Sequence, residues 1–127
     1  MSETKARKAV DDYYAAWNAQ DVAAMAKVLH YPHVMIADAR AFIMEDPARF
    51  INFDEKIVKK LLKKEEWHHS DLLALETIQL SEDKVHFRIE FGRYRENGEK
   101  YAHYHGIWIL TRENDHWGIL ARSIFTP

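Results

Sequence analysis

Residues 13–21 read Tyr13-Tyr14-Ala15-Ala16-Trp17-Asn18-Ala19-Gln20-Asp21, and they join the end of one amphipathic helix to the start of a shorter one. Val10, Tyr13, Tyr14 and Trp17 recur at i, i+3, i+4 and i+7. Their side chains therefore share one face of the first helix. That face carries two phenol hydroxyl groups and an indole N–H, which need hydrogen-bond partners when they are buried. The stretch predicts a helix that can line a cavity as well as fill a core.

Composition and charge narrow the class of protein. The chain has 127 residues, 47% of them hydrophobic and 30% charged, which predicts one globular domain spanning residues 1–127. Its formal charge of −2 gives no field that would attract nucleic acid. It has no cysteine, which excludes disulfides, thiolate nucleophiles and cysteine–zinc sites. No apolar run suits a secretory signal or a transmembrane helix, so we expect a cytoplasmic protein without a membrane partner.

The first half of the sequence predicts three helices. The first ends near Asn18, and Asp21 caps a short second helix. Asp46-Pro47 is a strong start for the third, because the acid favours the N-cap position and proline the first helical position. That helix should run to about Glu66. Its expected buried side chains recur at helical spacing: Phe50, Phe53, Ile57 and Leu61.

Strand patterns fill the rest of the chain. Tyr31-Pro32 should end the second helix, because the residue before proline avoids the helical region. A small hairpin follows, with strands His33–Ile36 and Ala41–Met44 around a turn at residues 37–40. After the third helix, four segments alternate with a period of two: 73–80, 84–94, 101–111 and 116–125. Asn97-Gly98 is the strongest hairpin signal between them.

Helices that are segregated from strands define an α+β fold. Strands of about eleven residues would span ~37 Å, roughly twice the usual length, so the sheet must curve. We therefore predict a cone-shaped roll, with three N-terminal helices packed on a strongly curved antiparallel sheet. The open end of such a cone is a natural pocket.

The order of elements and three motifs resemble the nuclear transport factor 2-like superfamily. The motifs are residues 13–21, Val28-Leu29 and the closing Trp117-Gly118-Ile119. The resemblance implies a cystatin-like cone, the fold of ketosteroid isomerase, SnoaL-type polyketide cyclases and scytalone dehydratase. This chain looks most like a SnoaL-like branch with a long, lysine-rich third helix. Because the fold hosts many functions, the resemblance does not name a reaction.

The resemblance implies catalytic roles for two side chains. Tyr13 falls where ketosteroid isomerases keep a tyrosine that donates to the substrate oxyanion, and Asp38 falls where they keep the aspartate that moves the proton. Such a pair suits proton abstraction beside a carbonyl group. The second, protonated acid of those isomerases has no counterpart, because its expected position lies near Ile107-Trp108. The alternative for Asp38, which the residues favour, is a turn residue that bonds its own backbone.

His103 and His105 share one face of a predicted strand, with Tyr104 on the other. Three roles stay open for the two histidines. One is a His–Asp pair acting on a water or a substrate hydroxyl, as the resemblance to scytalone dehydratase implies. Another is a pair of metal ligands, for which a third would have to come from His33, His30, Glu90 or Asp38. The last is an ordinary polar outer surface. The metal site is the least favoured of the three, so no metal or cofactor is expected.

A further set of side chains is predicted to form the pocket wall: Tyr14, Trp17, His33, Tyr104, Trp108 and Arg122. Arg122 lies between Leu120 and Ile124, where an unpaired charge would be costly. It either binds a carboxylate ligand or pairs with Glu90, and we favour the ion pair. Trp108 suits a pocket wall or the core of a dimer interface.

Three functions fit this sequence. The first is a cofactor-independent acid–base enzyme (isomerase, cyclase or dehydratase) acting on a small apolar carbonyl or hydroxy compound, through Asp38, Tyr13 and His103 or His105. The second is a non-catalytic binder of a small apolar ligand. The third is a dimerisation module whose cone is filled by its own side chains. The first two are about equally favoured, so the prediction is a small-molecule-binding domain. A homodimer is expected from the resemblance. The lysines of the third helix are interrupted by glutamates and do not predict nucleic-acid binding.

Overall fold

The computed structural model describes residues 2–127, which form three helices and six strands. Two of the strands lie between the second and third helices, and four follow the third helix. The helices are α1 (Ser2–Asn18), α2 (Val22–Lys27) and α3 (Pro47–Lys64). The strands are β1 (Leu29–Ala37), β2 (Arg40–Met44), β3 (His69–Leu80), β4 (Lys84–Tyr94), β5 (Lys100–Glu113) and β6 (His116–Phe125). The predicted α+β class and the predicted order of elements are confirmed.

The strands form one sheet in the order β2-β1-β6-β5-β4-β3. β3 to β6 make the predicted antiparallel meander. β1 pairs with β6 in parallel, which brings the hairpin of β1 and β2 beside the end of the chain. Register shifts interrupt the pairing of β3 with β4 and of β5 with β6. Such irregularities bend a strand, so the long sheet curves around the helices.

The boundaries of the helices follow the capping signals of the sequence. The Asp21 carboxylate accepts a hydrogen bond from the backbone N–H of Ala24 at 3.0 Å, and Asp46 caps α3 in the same way. Asn18 ties the end of α1 to β3 through two hydrogen bonds with the backbone of Ser70. One boundary differs from the prediction: α2 ends at Lys27, and Tyr31-Pro32 lies within β1 instead of ending the helix. Strand pairing with β6 from Leu29 onward overrides the local helical pattern.

The core lies between α1 and the middle of the sheet. The predicted inner face of α1 is buried, and its aromatic rings pack on Trp108 of β5. The Tyr14 ring stacks on Trp108 with centroids 5.6 Å apart, and the Tyr13 ring meets Trp108 edge-on at 5.4 Å. Within residues 2–127, none of the helices combines the length and the apolar character that a bilayer crossing requires.

Candidate functional site

A cavity of about 440 Å³ lies between the helices and the inner side of the sheet. Its wall is mostly apolar and aromatic, with contributions from Trp17, Phe42, Phe53, Ile57, Phe91 and Trp108. Six polar side chains that are not fully exposed also line it: Tyr13, Asp54, Glu65, Arg93, Tyr104 and Arg122. Exposed polar residues from the β1–β2 hairpin and α3 surround the mouth: Asp38, Arg40 and Lys60. The volume falls in the range of known small-molecule sites.

Arg122 on β6 is a buried cation in this wall, with 6% of its surface exposed. Its Nε–H donates to Nε2 of His33 at 3.0 Å, and an Nη1–H donates to the hydroxyl oxygen of Tyr13 at 2.7 Å. The guanidinium carbon lies 5.3 Å from the centre of the Tyr13 ring, within cation–π range. Across residues 2–127, no carboxylate lies within 4.0 Å of this guanidinium. Both of its contacting partners are neutral.

His33 on β1 holds Arg122 from behind. Its ring is fully buried, and its Nδ1–H donates to the backbone oxygen of Ile119 at 2.9 Å. Nε2 therefore keeps a lone pair, which accepts the hydrogen bond from Arg122. Burial, reinforced by the Arg122 cation, lowers the pKa of His33 from 6.5 to about 3. His33 is thus a neutral acceptor at neutral pH, and it lies outside the residues that line the cavity. His33 was predicted to line the pocket, but it lies behind the wall, where it contacts Arg122.

Asp54 on α3 is a buried carboxyl group in the cavity wall, with 7% of its surface exposed. Its Oδ2 has no hydrogen-bond partner in the part of the chain that the structure describes. Burial raises the pKa of Asp54, and the cations of Arg122 and Arg93 oppose the rise without cancelling it. The cavity wall therefore includes a carboxyl group that has an unpaired buried oxygen within residues 2–127 and that binds a proton more readily than an exposed aspartate does.

Tyr13 on α1 is fully buried and supplies a donor to the same cavity. Burial raises the pKa of Tyr13 well above its ordinary value, against the opposing effect of the Arg122 cation. Its oxygen accepts from Arg122, so its own O–H is available to another acceptor. Asp54 lines the same cavity, and its charge adds to the rise in the pKa of Tyr13. Together these residues offer one proton acceptor and two kinds of donor.

Arg93 on β4 is the second cation of the cavity, and its charge is paired. Its Nη1 lies 3.5 Å from Oε1 of Glu65 and donates to the Tyr104 hydroxyl at 2.8 Å. Glu65 also accepts a hydrogen bond from Tyr101 at 3.0 Å. The Arg93 guanidinium lies 4.5 Å from the centre of the Tyr104 ring. Arg93 and Arg122 therefore differ: Arg93 has a carboxylate in contact, and Arg122 has none among residues 2–127.

The predicted base Asp38 lies in the turn of the β1–β2 hairpin, at a backbone φ of 51°. Its carboxylate accepts hydrogen bonds from the hydroxyl and the backbone N–H of Thr126. These bonds lower the pKa of Asp38. Asp38 is exposed at the mouth of the cavity, so the structure gives it the role of a turn residue that ties the hairpin to the C-terminal segment.

His103 and His105 lie on the outer face of β5 and do not line the cavity. His103 Nε2 is 2.8 Å from Oε1 of Glu90, and the His105 ring stacks on Phe125 with centroids 5.0 Å apart. The strand alternation that turns Tyr104 and Trp108 inward turns both histidines outward. The structure therefore does not bring either histidine together with Tyr13 or Asp38.

The ion pair predicted for Arg122 and Glu90 is wrong. Glu90 lies on the outer face of β4, where it accepts from Arg88 at 2.6 Å and contacts His103. Arg122 points to the inner face, because it alternates with the outward residues of β6. The remaining predicted wall residues divide. Trp17, Tyr104 and Trp108 line the cavity, whereas Tyr14 lies in the core beside it, with no partner for its buried hydroxyl among residues 2–127.

Sequence reasoning missed Asp54 and Arg93. Asp54 follows Phe50 by four residues and precedes Val58 by four, so it lies on the buried face of α3. A lone acid on an apolar helical face was the available signal. Arg93 continues the inward alternation of Phe87, Ile89 and Phe91 along β4. In both cases a charged residue occupies a position where the pattern predicts an apolar core residue, and its side chain lines the cavity.

A metal site has no support in the described chain. No group of three or more His, Asp or Glu side chains is gathered closely enough within residues 2–127 to hold an ion. The pairs that do occur are two-residue contacts, such as His103 with Glu90 and His30 with His116. The cavity residues Asp54, Tyr13 and Arg122 are suited to hydrogen bonding and proton transfer with an organic molecule.

Three helices packed on one curved sheet are the architecture of nuclear transport factor 2-like domains, which have a cystatin-like fold. The chain belongs to the family described as NTF2-like protein (DUF6841), which it matches over residues 2–124. No curated protein matches the sequence.

Solved structures share the fold at low sequence identity. An NTF2-like protein with a cystatin-like fold from Novosphingobium aromaticivorans is 12% identical, with a TM-score of 0.77 over 98% of this chain and 80% of that one. A ketosteroid isomerase-like protein from Erwinia carotovora atroseptica is 14% identical, with a TM-score of 0.65 over 97% and 94%. A protein from Catenulispora acidiphila in complex with S-DNPA is 9% identical, with a TM-score of 0.76 over 98% and 92%. At these identities the similarity concerns the fold alone.

Proposed function

We propose that this chain binds a small, largely apolar molecule in the cavity between α1, α3 and the sheet. One observation carries the proposal: Asp54 is buried in the cavity wall and Oδ2 has no donor among residues 2–127. A buried acceptor without a partner costs about 1–3 kcal/mol, more for a charged group, so a wall made only for packing would not keep it. An unpaired buried carboxyl oxygen of this kind needs a functional explanation, and a binding site supplies one.

The size of the cavity argues against the dimerisation module with a filled cone. About 440 Å³ stays open beside aromatic rings that could have closed on one another. Two arginines also enter the wall, although apolar residues would suit a filled core better. The complex of the Catenulispora acidiphila protein with S-DNPA supports a ligand-binding role by analogy of fold.

A thermal-shift screen tests the proposal. A library of small aromatic and alicyclic carbonyl, hydroxy and carboxylic compounds is added to the purified chain at neutral pH. A ligand that binds only the folded state stabilises it by mass action, by about 2.7 kcal/mol at a concentration of 100 times Kd. This stabilisation raises the melting temperature. We expect a subset of compounds to raise it; if none does so, the proposal fails.

A matched pair of variants locates the binding. Ala37→Phe places a ring in the cavity wall, because Ala37 lines it. Ile36→Phe changes the neighbouring residue, whose exposed side chain points to the other face of β1. Ala37→Phe should remove the ligand-induced shift, and Ile36→Phe should keep it. If both variants, folded by circular dichroism, keep the shift, the ligand binds elsewhere.

A cofactor-independent acid–base enzyme is the second candidate, and Asp54 favours it. A carboxyl group with a raised pKa in an apolar cavity can take a proton from carbon, while the free O–H of Tyr13 can donate to the oxyanion that develops. The fold shared with a ketosteroid isomerase-like protein supports this class of reaction. In this proposal Asp54 takes the role of base that the resemblance implied for Asp38.

Deuterium exchange separates the two aspartates. A carbonyl compound that binds in the screen is incubated with the chain in D₂O, and exchange of its α-protons is followed by NMR. Asp54→Asn should abolish the exchange and retain binding, while Asp38→Asn should retain both. The reverse result would return the role of base to Asp38. If the wild-type chain exchanges the α-protons of none of the carbonyl compounds that it binds, the proposal of an acid–base enzyme fails and the proposal of a binding protein stands.

The homodimer expected from the resemblance also stays a proposal. The outer face of β5 and β6 exposes apolar side chains beside the two histidines, with Ile107 40% and Phe125 56% exposed. An apolar surface of this kind suits contact with a second copy. Light scattering coupled to size exclusion should give twice the chain mass of 15.0 kDa. Phe125→Asp should shift the mass to the monomer, and a monomeric wild-type chain contradicts the proposal.

A further inference from the structure

We infer that the cavity is built for an organic monocarboxylate: a compact aromatic or alicyclic body whose carboxylate is bound by Arg122. The inference rests on the proposed binding function and names its ligand class.

The first observation is the unused hydrogen-bonding capacity of Arg122. A guanidinium has five N–H donors. Two of them bond to His33 and Tyr13, so three remain on the Nη1 and Nη2 atoms without an acceptor in the described chain. These donors form the planar fork that binds a carboxylate through two parallel hydrogen bonds. With 94% of its surface covered, Arg122 has little access to bulk water except through the cavity that it lines.

The second observation is that the charge of Arg122 lacks a counter-ion in contact. Arg93 has Glu65 at 3.5 Å, but no carboxylate of residues 2–127 lies within 4.0 Å of Arg122. Among the other carboxylates of the wall, Glu65 is paired with Arg93 and Asp38 is bonded to Thr126, which leaves Asp54, and Asp54 does not behave as a tight partner. An aspartate in a close ion pair has a lowered pKa, whereas burial raises that of Asp54. A buried cation without a partner is costly, and a bound anion neutralises it.

The third observation is the charge around the mouth. Arg40 and Lys60 are exposed where the cavity opens, and neither contacts a carboxylate within residues 2–127. Of the acids that line the same cavity, Asp38 is held in its ionised form by hydrogen bonds from Thr126, and Glu65 is paired with Arg93. Arg40 and Lys60 outnumber Asp38, so the entrance has a net positive charge, whereas the chain as a whole has a formal charge of −2. A local positive field of this kind favours the approach of small anions.

The rest of the wall defines the body of the ligand. Trp17, Phe91 and Trp108 offer aromatic faces, and Phe53 and Ile57 close the side of α3. A polyphosphate or a sugar acid would leave these apolar surfaces without matching contacts. Arg93, the other buried cation of the wall, already has Glu65 in contact, so Arg122 is the cation that a single carboxylate would neutralise.

Matched pairs of probes test the inference. Each pair joins a carboxylate to its neutral carboxamide on the same ring: benzoate with benzamide, 2-naphthoate with 2-naphthamide, and cyclohexylacetate with cyclohexylacetamide. Kd is measured by calorimetry at pH 7 for the wild-type chain, Arg122→Gln and Arg122→Lys. In the wild-type chain at least one carboxylate should bind 10-fold or more tightly than its amide. Arg122→Gln should bring the ratio near one, and Arg122→Lys should keep part of it.

The outcomes separate this inference from the proposed function. If amides and other neutral compounds bind as tightly as the carboxylates, the carboxylate inference fails and the binding function stands. If the wild-type chain binds none of these probes and no library compound, both fail. If the preference for carboxylates survives in a folded Arg122→Gln variant, another cation binds them and the role of Arg122 is overturned. Arg122→Lys, which keeps the charge, shows whether a loss in Arg122→Gln reflects the missing cation or a disturbed fold.

Discussion

At the level of single residues, the neutrality of His33 decides where the charge of Arg122 can point. The Ile119 carbonyl takes the Nδ1–H of His33, which leaves Nε2 as an acceptor for the Arg122 Nε–H. A protonated His33 would present a donor to a donor and repel the guanidinium. The buried imidazole and the buried guanidinium thus form one hydrogen-bonded pair. The pair is stable only when the guanidinium is charged and the imidazole is neutral.

This pair predicts a loss of stability on acidification. In the unfolded chain His33 takes up a proton below a pKa of about 6.5, but in the folded chain only near a pKa of about 3. Its contribution to stability is therefore fully present above pH ~6.5 and is lost as the pH falls toward 3. At pH 5 the loss from this residue is about 2 kcal/mol. Urea unfolding at pH 7 and pH 5 measures it.

His33→Gln is the control for that measurement. Glutamine can accept from Arg122 through its side-chain oxygen and does not titrate. The wild-type chain should lose about 2 kcal/mol more than the variant between pH 7 and pH 5. His30, whose pKa is also lowered by burial, contributes to both chains and cancels in the difference. Parallel pH profiles for the two chains would contradict a neutral, buried His33.

The candidate site could be read from the sequence only in part. Tyr13, Trp17 and Trp108 follow from helical and strand periodicity, which assigns a side chain to the inner face. Asp38 was singled out because of the resemblance, but a hairpin turn and Thr126 determine its actual environment. Asp54 lies at a core position of α3, where the helical pattern predicts an apolar residue, so the pattern alone gives an acid no role there. The role of Asp54 depends on the cavity, which is formed by residues distant in the sequence.

At the level of elements, the local signals and the long-range pairings differ in how far they could be predicted. Asp46-Pro47 begins α3, and Asn97-Gly98 lies between β4 and β5, because capping and turn chemistry act over a few residues. The parallel pairing of β1 with β6 joins segments about ninety residues apart, and no turn links them. That pairing aligns Met35 with Arg122, so it positions the inner residues of both strands beside the cavity.

The junction of β5 and β6 depends on the absence of a side chain at Gly106. A Cβ built at this position would lie 1.9 Å from the backbone oxygen of Ser123, next to Arg122 on β6. Backbone cannot yield as a side chain can, so Gly106→Ala should separate the strands. We expect a loss of at least about 2 kcal/mol in urea unfolding, together with weaker binding of any carboxylate.

Gly92→Ala provides the matched comparison on β4. There the added Cβ would meet the Lys100 Cδ and the Tyr94 ring at 3.0 Å, both on side chains that can move. The loss of stability should be about 1 kcal/mol or less. Equal losses in the two variants would show that the strand backbones tolerate a methyl group at Gly106.

At the level of the whole molecule, the fold maintains a cavity whose polar groups lower the stability of the unliganded chain. The surrounding sheet and α1 bury a continuous aromatic core, which holds the cavity open. Removal of a buried polar group from such a site commonly stabilises a protein and impairs its function. Asp54 lies in the cavity wall and Asp38 at its mouth. Replacing each by asparagine should change the pH dependence of stability in opposite directions.

Asp54→Asn should become more stable relative to the wild-type chain as the pH rises from 4 to 8. Burial raises the pKa of Asp54, so the folded state disfavours its ionised form, and the penalty grows as the pH rises above the ordinary aspartate value. Asp38→Asn should show the reverse trend at more acid pH: hydrogen bonds from Thr126 lower the pKa of Asp38, so the stability that it adds is present above the ordinary aspartate value and is lost as the pH falls below that value. Melting temperatures for the three chains at pH 4, 6 and 8 measure the trend of Asp54→Asn, and those at pH 3 and 4 measure the trend of Asp38→Asn. If the gain of Asp54→Asn over the wild-type chain does not grow between pH 4 and pH 8, Asp54 is not the desolvated carboxyl of the cavity, and the binding and acid–base roles proposed for it would fall together.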